Sequence, residues 1–187
     1  MAGMLQRHIT HKVKDTMIPL FKALVRPVLE YAVSVWCPYM KKDITKIEKV
    51  QRQFTKRVKG MRDLSYPGRL AKLKLPSLIF RRIRGEMIEV YKTLNNYYDP
   101  VTTKSLLTLS NNSHHTRTNN MKLNKPGVDT KKYQMFFTNR VINSWNRLPS
   151  ETVKSKHLNA FKNNIDANLK DYMYECDIDI TKMRPKF

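Results

Sequence analysis

From Lys12 to Val35 apolar residues recur at Val13, Met17, Leu20, Phe21, Leu24, Val28, Tyr31 and Val35. Steps of three and four are the helical period, so this stretch is expected to be helical. Pro19 suits a first turn. Pro27 lies deeper and is expected to kink or split the helix, because its ring crowds the carbonyl one turn back. Pro38 is expected to end the element. Lys42 to Lys59 carries the cleanest two-sided pattern. Ile44, Ile47, Gln51, Phe54 and Val58 share one face, with Val50 at its edge, while Lys42, Lys49, Arg52 and Lys56 fall opposite. Asp43 is suited to cap this helix and Gly60 to stop it.

A short amphipathic piece follows around Arg69–Leu73 and closes at Leu75-Pro76. Ser77 can cap a helix reaching about Asn95, with Phe80, Ile83, Met87, Val90 or Tyr91, and Leu94 as its buried stripe. Arg81, Arg82 and Arg84 crowd its N-terminal end. From Asn96 to Asp129 the residues are mainly Asn, Ser, Thr and His with a Pro-Gly pair, which reads as a surface connection. Met121-Lys122-Leu123 is at most a short strand. Helical period returns at Phe137, Val141, Trp145 and Leu148 and stops at Pro149. Ser155 can cap a last helix with Leu158, Phe161, Ile165, Leu169 and Tyr172 inward. The chain after Tyr174 is expected to be loose. No internal repeat is present.

The 187 residues suffice for a domain with a real core, and 41% are apolar, which excludes compositional disorder. Charge changes the picture more. Lys and Arg number 36 against 15 Asp and Glu, a net +21. Such a field attracts polyanions. Residues 41–95 hold sixteen cations and five anions, about half of the net charge. That focus points to a binding face, with nucleic acid as the expected partner. Cys37 and Cys176 do not make a disulfide scaffold. The opening residues lack the apolar core of a signal peptide, and Arg26 and Glu30 interrupt the best apolar run. An intracellular location, nuclear or cytoplasmic, and no membrane partner are expected. The sequon at Asn111 is then a coincidence of sequence.

Catalytic chemistry is sparse. Polymerases, nucleases and phosphotransferases hold paired metals with neighbouring carboxylates, and the chain has no Asp-Asp pair. Tyr97-Tyr98-Asp99-Pro100 faintly resembles the Tyr-x-Asp-Asp turn of reverse transcriptases but lacks the second Asp. Asp177 and Asp179 flank an Ile near the end of the chain. His8 and His11, three apart, can share a helix face but have no third ligand, and His114-His115 point two ways. Phosphate-cradling glycine loops and nucleophile elbows are absent from the sequence. No catalytic residue, metal site or cofactor is expected.

The cations of the second helix do carry chemistry. Lys42, Lys49, Arg52 and Lys56 project along one side of a helix for about 20 Å, enough to meet several phosphates. Arg81, Arg82 and Arg84 are expected to extend that face from the next long helix. Tyr39, Tyr66, Tyr97 and Tyr98 are candidates for stacking on bases, although core packing is the commoner fate of such residues.

The order of segments resembles a known family. Leu24-Val25-Arg26-Pro27-Val28-Leu29-Glu30-Tyr31, then Trp36, then Ile47-Glu48-Lys49-Val50-Gln51-Arg52 is similar to the region after the catalytic palm in reverse transcriptases of LINE-type (non-LTR) retrotransposons, jockey-like elements in particular. Leu73-Lys74-Leu75-Pro76, Arg81-Arg82-Ile83-Arg84-Gly85, Arg140 and Trp145-Asn146-Arg147-Leu148-Pro149 continue the likeness. It covers about Met4 to Lys170.

The resemblance implies the thumb and post-thumb region of an RNA-directed DNA polymerase. Lys49, Arg52 and Lys56 would face the nucleic-acid duplex, and a polymerase palm would be a partner. The chain departs from the family in lacking the palm's metal-binding Asp residues, the fingers and the endonuclease. A family-typical Gly is Lys74 here, and the acidic residues common after Ser65-Tyr66 are replaced by Pro67-Gly68.

The expected fold is mostly α. A helical thumb-like bundle occupies 1–95, a long polar connection 96–132, a C-terminal helical pair 133–174 and a flexible tail 175–187. The expected function is binding of RNA or an RNA–DNA hybrid, without enzymatic activity in this chain alone. The alternatives are a helical protein-interaction domain with an acidic partner, an enzyme subunit that works beside a separate palm, and a retrotransposon relic without function.

Overall fold

The computed structural model describes Gly3 and residues 7–103, 105–110, 121–127 and 129–176. The described residues are mostly helical and include no strand, only an isolated antiparallel bridge between Leu109 and Leu123. They form two compact units. The described residues of Met1–Arg82 and Tyr172–Asp177 make the first, those of Ile83–Asp171 the second. This division falls inside a long helix, whereas the reading along the chain placed a break after Asn95.

In the first unit, α1 (Lys14–Leu20) runs into a π-helical turn, Phe21–Val25, and then α2 (Arg26–Glu30). Pro19 therefore lies inside α1 and not in its first turn. Pro27 neither breaks nor ends the helix, because the wider turn before it makes room. The Arg26 N–H bonds back to the Phe21 carbonyl, and Pro27 takes an early position in α2 where no donor is needed. The break comes at Ala32, which is left-handed at φ 49°. A single turn, α3 (Val33–Trp36), follows.

Helix α4 (Lys41–Lys56) starts one residue earlier than its periodicity suggests. Asp43 does not cap it. Met40 is extended, and its carbonyl accepts the N–H of Asp43 and Ile44, so Asp43 sits within the first turn. Gly60, φ +74°, takes the left-handed turn beyond the helix. Helix α5 (Tyr66–Leu73) is capped by Ser65, whose Oγ accepts the Gly68 N–H. It ends in a Schellman motif: Lys74 N–H bonds Ala71 O, and Leu75 N–H bonds Leu70 O. Leu70 and Leu75, the apolar pair of that motif, are both fully buried. Around them pack Met17, Phe21, Phe54 and Leu73, with the Phe21 and Phe54 rings 4.7 Å apart. Tyr174 and Cys176 lie on this core, so the segment after Tyr174 is packed as far as Cys176.

Helix α6 (Leu78–Leu94) follows, with Ser77 Oγ accepting the Phe80 N–H. Leu78, Ile79 and Phe80 are buried, as are Ile83, Met87, Val90 and Tyr91 further along; Leu94 is only half-buried.

The second unit contains the rest of α6, α7 (Pro100–Thr103), α8 (Lys131–Gln134), α9 (Phe137–Asn146), α10 (Ser150–Val153) and α11 (Leu158–Asn168). Its core stacks Tyr91 on Phe161 at 4.2 Å, with Trp145 5.8 Å from Phe161. Part of the polar connection is tied down. Trp145 Nε1 donates to Met121 O, and the Asn146 amide both donates to and accepts from the Leu123 backbone. Ser155 does not cap α11. The N-cap is His157, without a side-chain bond, and the Ser155 hydroxyl instead donates to Thr152 O.

Two stability outcomes are expected. Trp145→Ala should lose about 3–5 kcal/mol in denaturant unfolding; a loss under about 1 kcal/mol would contradict its place in the core. Lys74, left-handed at φ 51°, should accept Gly with a gain of about 1 kcal/mol; destabilisation by Lys74→Gly would contradict that backbone geometry.

Candidate nucleic-acid interface

Helix α4 segregates its residues sharply. Glu48, Gln51, Phe54 and Thr55 are buried, whereas Lys42, Lys49, Arg52 and Lys56 are exposed. Lys41, Lys46 and Arg57 are exposed too. The helix contains two acids. Asp43 is spent on Lys46, 3.3 Å away. The other, Glu48, is 2% exposed. Its removal to the interior leaves the outer face almost purely cationic.

Three contacts hold α4 in this rotation. Glu48 Oε1 accepts from the Tyr66 hydroxyl at 2.7 Å and from the Leu78 N–H at 3.2 Å. The carboxylate therefore sits at the N-terminus of α6, where the helix dipole favours negative charge. Gln51 Nε2 donates to Pro76 O at 2.9 Å. Arg69, itself buried, donates to Thr55 Oγ1 and to Leu64 O. One site residue is further constrained: the Arg52 guanidinium lies 4.9 Å from the centroid of the Tyr66 ring, a cation–π arrangement. Burial and the adjacent Glu48 raise the Tyr66 pKa well above its ordinary value, and burial lowers that of Arg69.

The arginines of α6 have a different environment. Arg81 forms a two-bond pair with Glu30, with Nη2 to Oε2 at 2.6 Å. Arg84 pairs the same way with Asp166, Nη2 to Oδ2 at 2.8 Å. Arg82 is 3% exposed. None of the three is an exposed cation, so the structure does not bring them into the surface that α4 presents. The reason is the burial of α6, which leaves a cation on it in need of an internal carboxylate. Arg140 obeys the same logic. It bonds Glu86 at 2.7 Å, with both side chains largely buried.

The other sequence candidates resolve simply. Asp99 Oδ1 accepts the Val101 N–H at the start of α7, which is a capping role. His8 is helical but His11 is not, so they share no helix face. His114, His115 and the acids from Asp177 onward lie outside the described residues. Among the described residues no three His, Cys, Asp or Glu are grouped to hold a metal, and no helix is long and apolar enough to cross a membrane. Neither cysteine forms a disulfide. Glu48, Tyr66 and Arg69, which set the site, carry no pattern of their own in the sequence. The nearest signal is Glu48 lying one turn from Gln51 on the inward side of α4.

The chain matches no family model, no curated protein and no solved structure.

Tyr66 generates a pH test. Its raised pKa keeps the folded phenol protonated where the unfolded one would ionise. The resulting stability is complete below about pH 10 and is lost as pH rises further. Tyr66→Phe should therefore cost about 1–3 kcal/mol at neutral pH and decline less steeply above pH 10 than the parent chain. Identical alkaline declines in denaturant melts would contradict the buried Tyr66–Glu48 bond.

Proposed function

We propose that this chain binds RNA or an RNA–DNA hybrid through phosphate contacts, without reading sequence and without polymerase activity of its own. The observation that carries the reading is the exposed row Lys42, Lys49, Arg52 and Lys56 on α4, from which Glu48, one of the helix's two acids, has been withdrawn into the core. A row of about 20 Å on a rigid, buried-backed helix suits successive phosphates. Arg52, steadied on Tyr66, offers a planar fork for one of them. Arg81, Arg82 and Arg84 serve packing in this reading and are left out of the interface.

The resemblance to the thumb and post-thumb region of LINE-type reverse transcriptases supports the same conclusion, with a polymerase palm as the working partner. Lys74 adds to it. The family has Gly there, and the left-handed φ of 51° at Lys74 is a conformation that Gly adopts without cost.

A salt series by fluorescence anisotropy with labelled RNA and hybrid tests this. Binding should weaken linearly in log–log form. The triple variant Lys49→Gln, Arg52→Gln, Lys56→Gln should reduce the slope by about 2–3 with the melt unchanged. An unchanged slope would remove α4 from the interface. No binding of RNA at physiological salt would favour an acidic protein as the partner of this face.

A further inference from the structure

The segment from the π turn to α3 is apolar on two sides. Phe21 and Val25 point into the core of the first unit. Leu24, Val28, Tyr31, Val35, Trp36 and Tyr39 are exposed, with Val28 at 63%, Tyr31 at 79% and Val35 at 82%. Single exposed apolar residues are ordinary, whereas a run of them marks an interaction surface. The run is held in place. The Trp36 indole N–H bonds the Tyr31 carbonyl, and the N–H groups of Val35 and Trp36 bond Ala32 O around the left-handed Ala32. A non-glycine residue in that conformation is strained, so the backbone accepts strain while presenting apolar groups outward.

The charges carried by this stretch are mostly of one sign. Between Thr16 and Lys42 the sequence has one acid, Glu30, and its carboxylate is engaged by Arg81 and lies 3.9 Å from Arg26. The exposed charged residues within that span are Lys22, Lys41 and Lys42; just outside it lie Lys14 and Asp15, both exposed, and Asp43, which pairs with Lys46. We infer that this surface docks an amphipathic helix of another protein, one with an apolar stripe and acidic flanks. The stripe would cover Val28, Tyr31 and Val35, and the flanks would meet the lysines.

Other occupants fit less well. Two copies of the chain would set like-charged rims against each other across a two-fold axis. Nucleic-acid bases would find rings at Tyr31, Trp36 and Tyr39, but half of the run, Leu24, Val28 and Val35, is aliphatic and gives them no stacking face. Membrane-surface helices present one continuous stripe, and here the stripe is broken at Ala32.

The test uses the full chain and a designed helical peptide of about 18 residues, with Leu at i, i+3, i+4 and i+7 and Glu on the flanks. A scrambled peptide of the same composition, RNA and vesicles containing phosphatidylserine are the other probes. Trp36 emission reports binding, since the other tryptophan, Trp145, is buried. The striped acidic peptide should bind and shift that emission to the blue. Val28→Asn with Val35→Asn, which leaves charge unchanged, should weaken it at least about tenfold, and Lys41→Gln with Lys42→Gln should weaken it further at low salt. The triple Gln variant of Lys49, Arg52 and Lys56 should bind the peptide normally even if RNA binding is lost or was never present. Equal binding of the scrambled peptide, insensitivity to the paired Asn variant, tighter binding of vesicles, or self-association that occludes Trp36 would each overturn the proposal.

Discussion

A buried carboxylate organises the first unit. Glu48 leaves water, and the structure offers it a phenol hydroxyl from α5 and the first amide of α6. A polar group of this kind is tolerated inside only with such partners. The consequence reaches the surface. Once Glu48 faces inward, the rotation of α4 is set, and every lysine and arginine opposite it is committed to solvent. Tyr66 joins the two sides, since its hydroxyl serves Glu48 and its ring carries Arg52.

Elsewhere the same chemistry is used in the opposite sense. Arg81, Arg84 and Arg140 are at least partly buried, and each meets a carboxylate supplied by another part of the chain. For the largely buried Arg140–Glu86 pair, breaking it costs more than the pair itself contributes, because a charge is left unpaired in a poor solvent. A strongly basic composition thus divides into two populations, one structural and one available to a partner.

The division explains what was legible beforehand. Helix α4 shows its two faces in the sequence because the period of Phe54, Gln51 and Ile47 is local. The mostly helical architecture was legible for the same reason. Arg81 and Arg84 looked like binding residues because their carboxylates lie 51 and 82 residues away, beyond any local pattern. The π turn before Pro27 was hidden because proline signals a disturbance without saying which backbone geometry absorbs it. Ser155 carried the right chemistry for a cap, but the helix starts at Leu158, and the extended His157 takes the N-cap position.

The two populations of cations are the central claim, and residue-resolved NMR of Lys and Arg side chains during titration with a short RNA addresses it most directly. Shifts are expected at Lys42, Lys49, Arg52 and Lys56, with Arg81, Arg84 and Arg140 unmoved. Shifts concentrated on the three paired arginines, with the α4 cations silent, would contradict it.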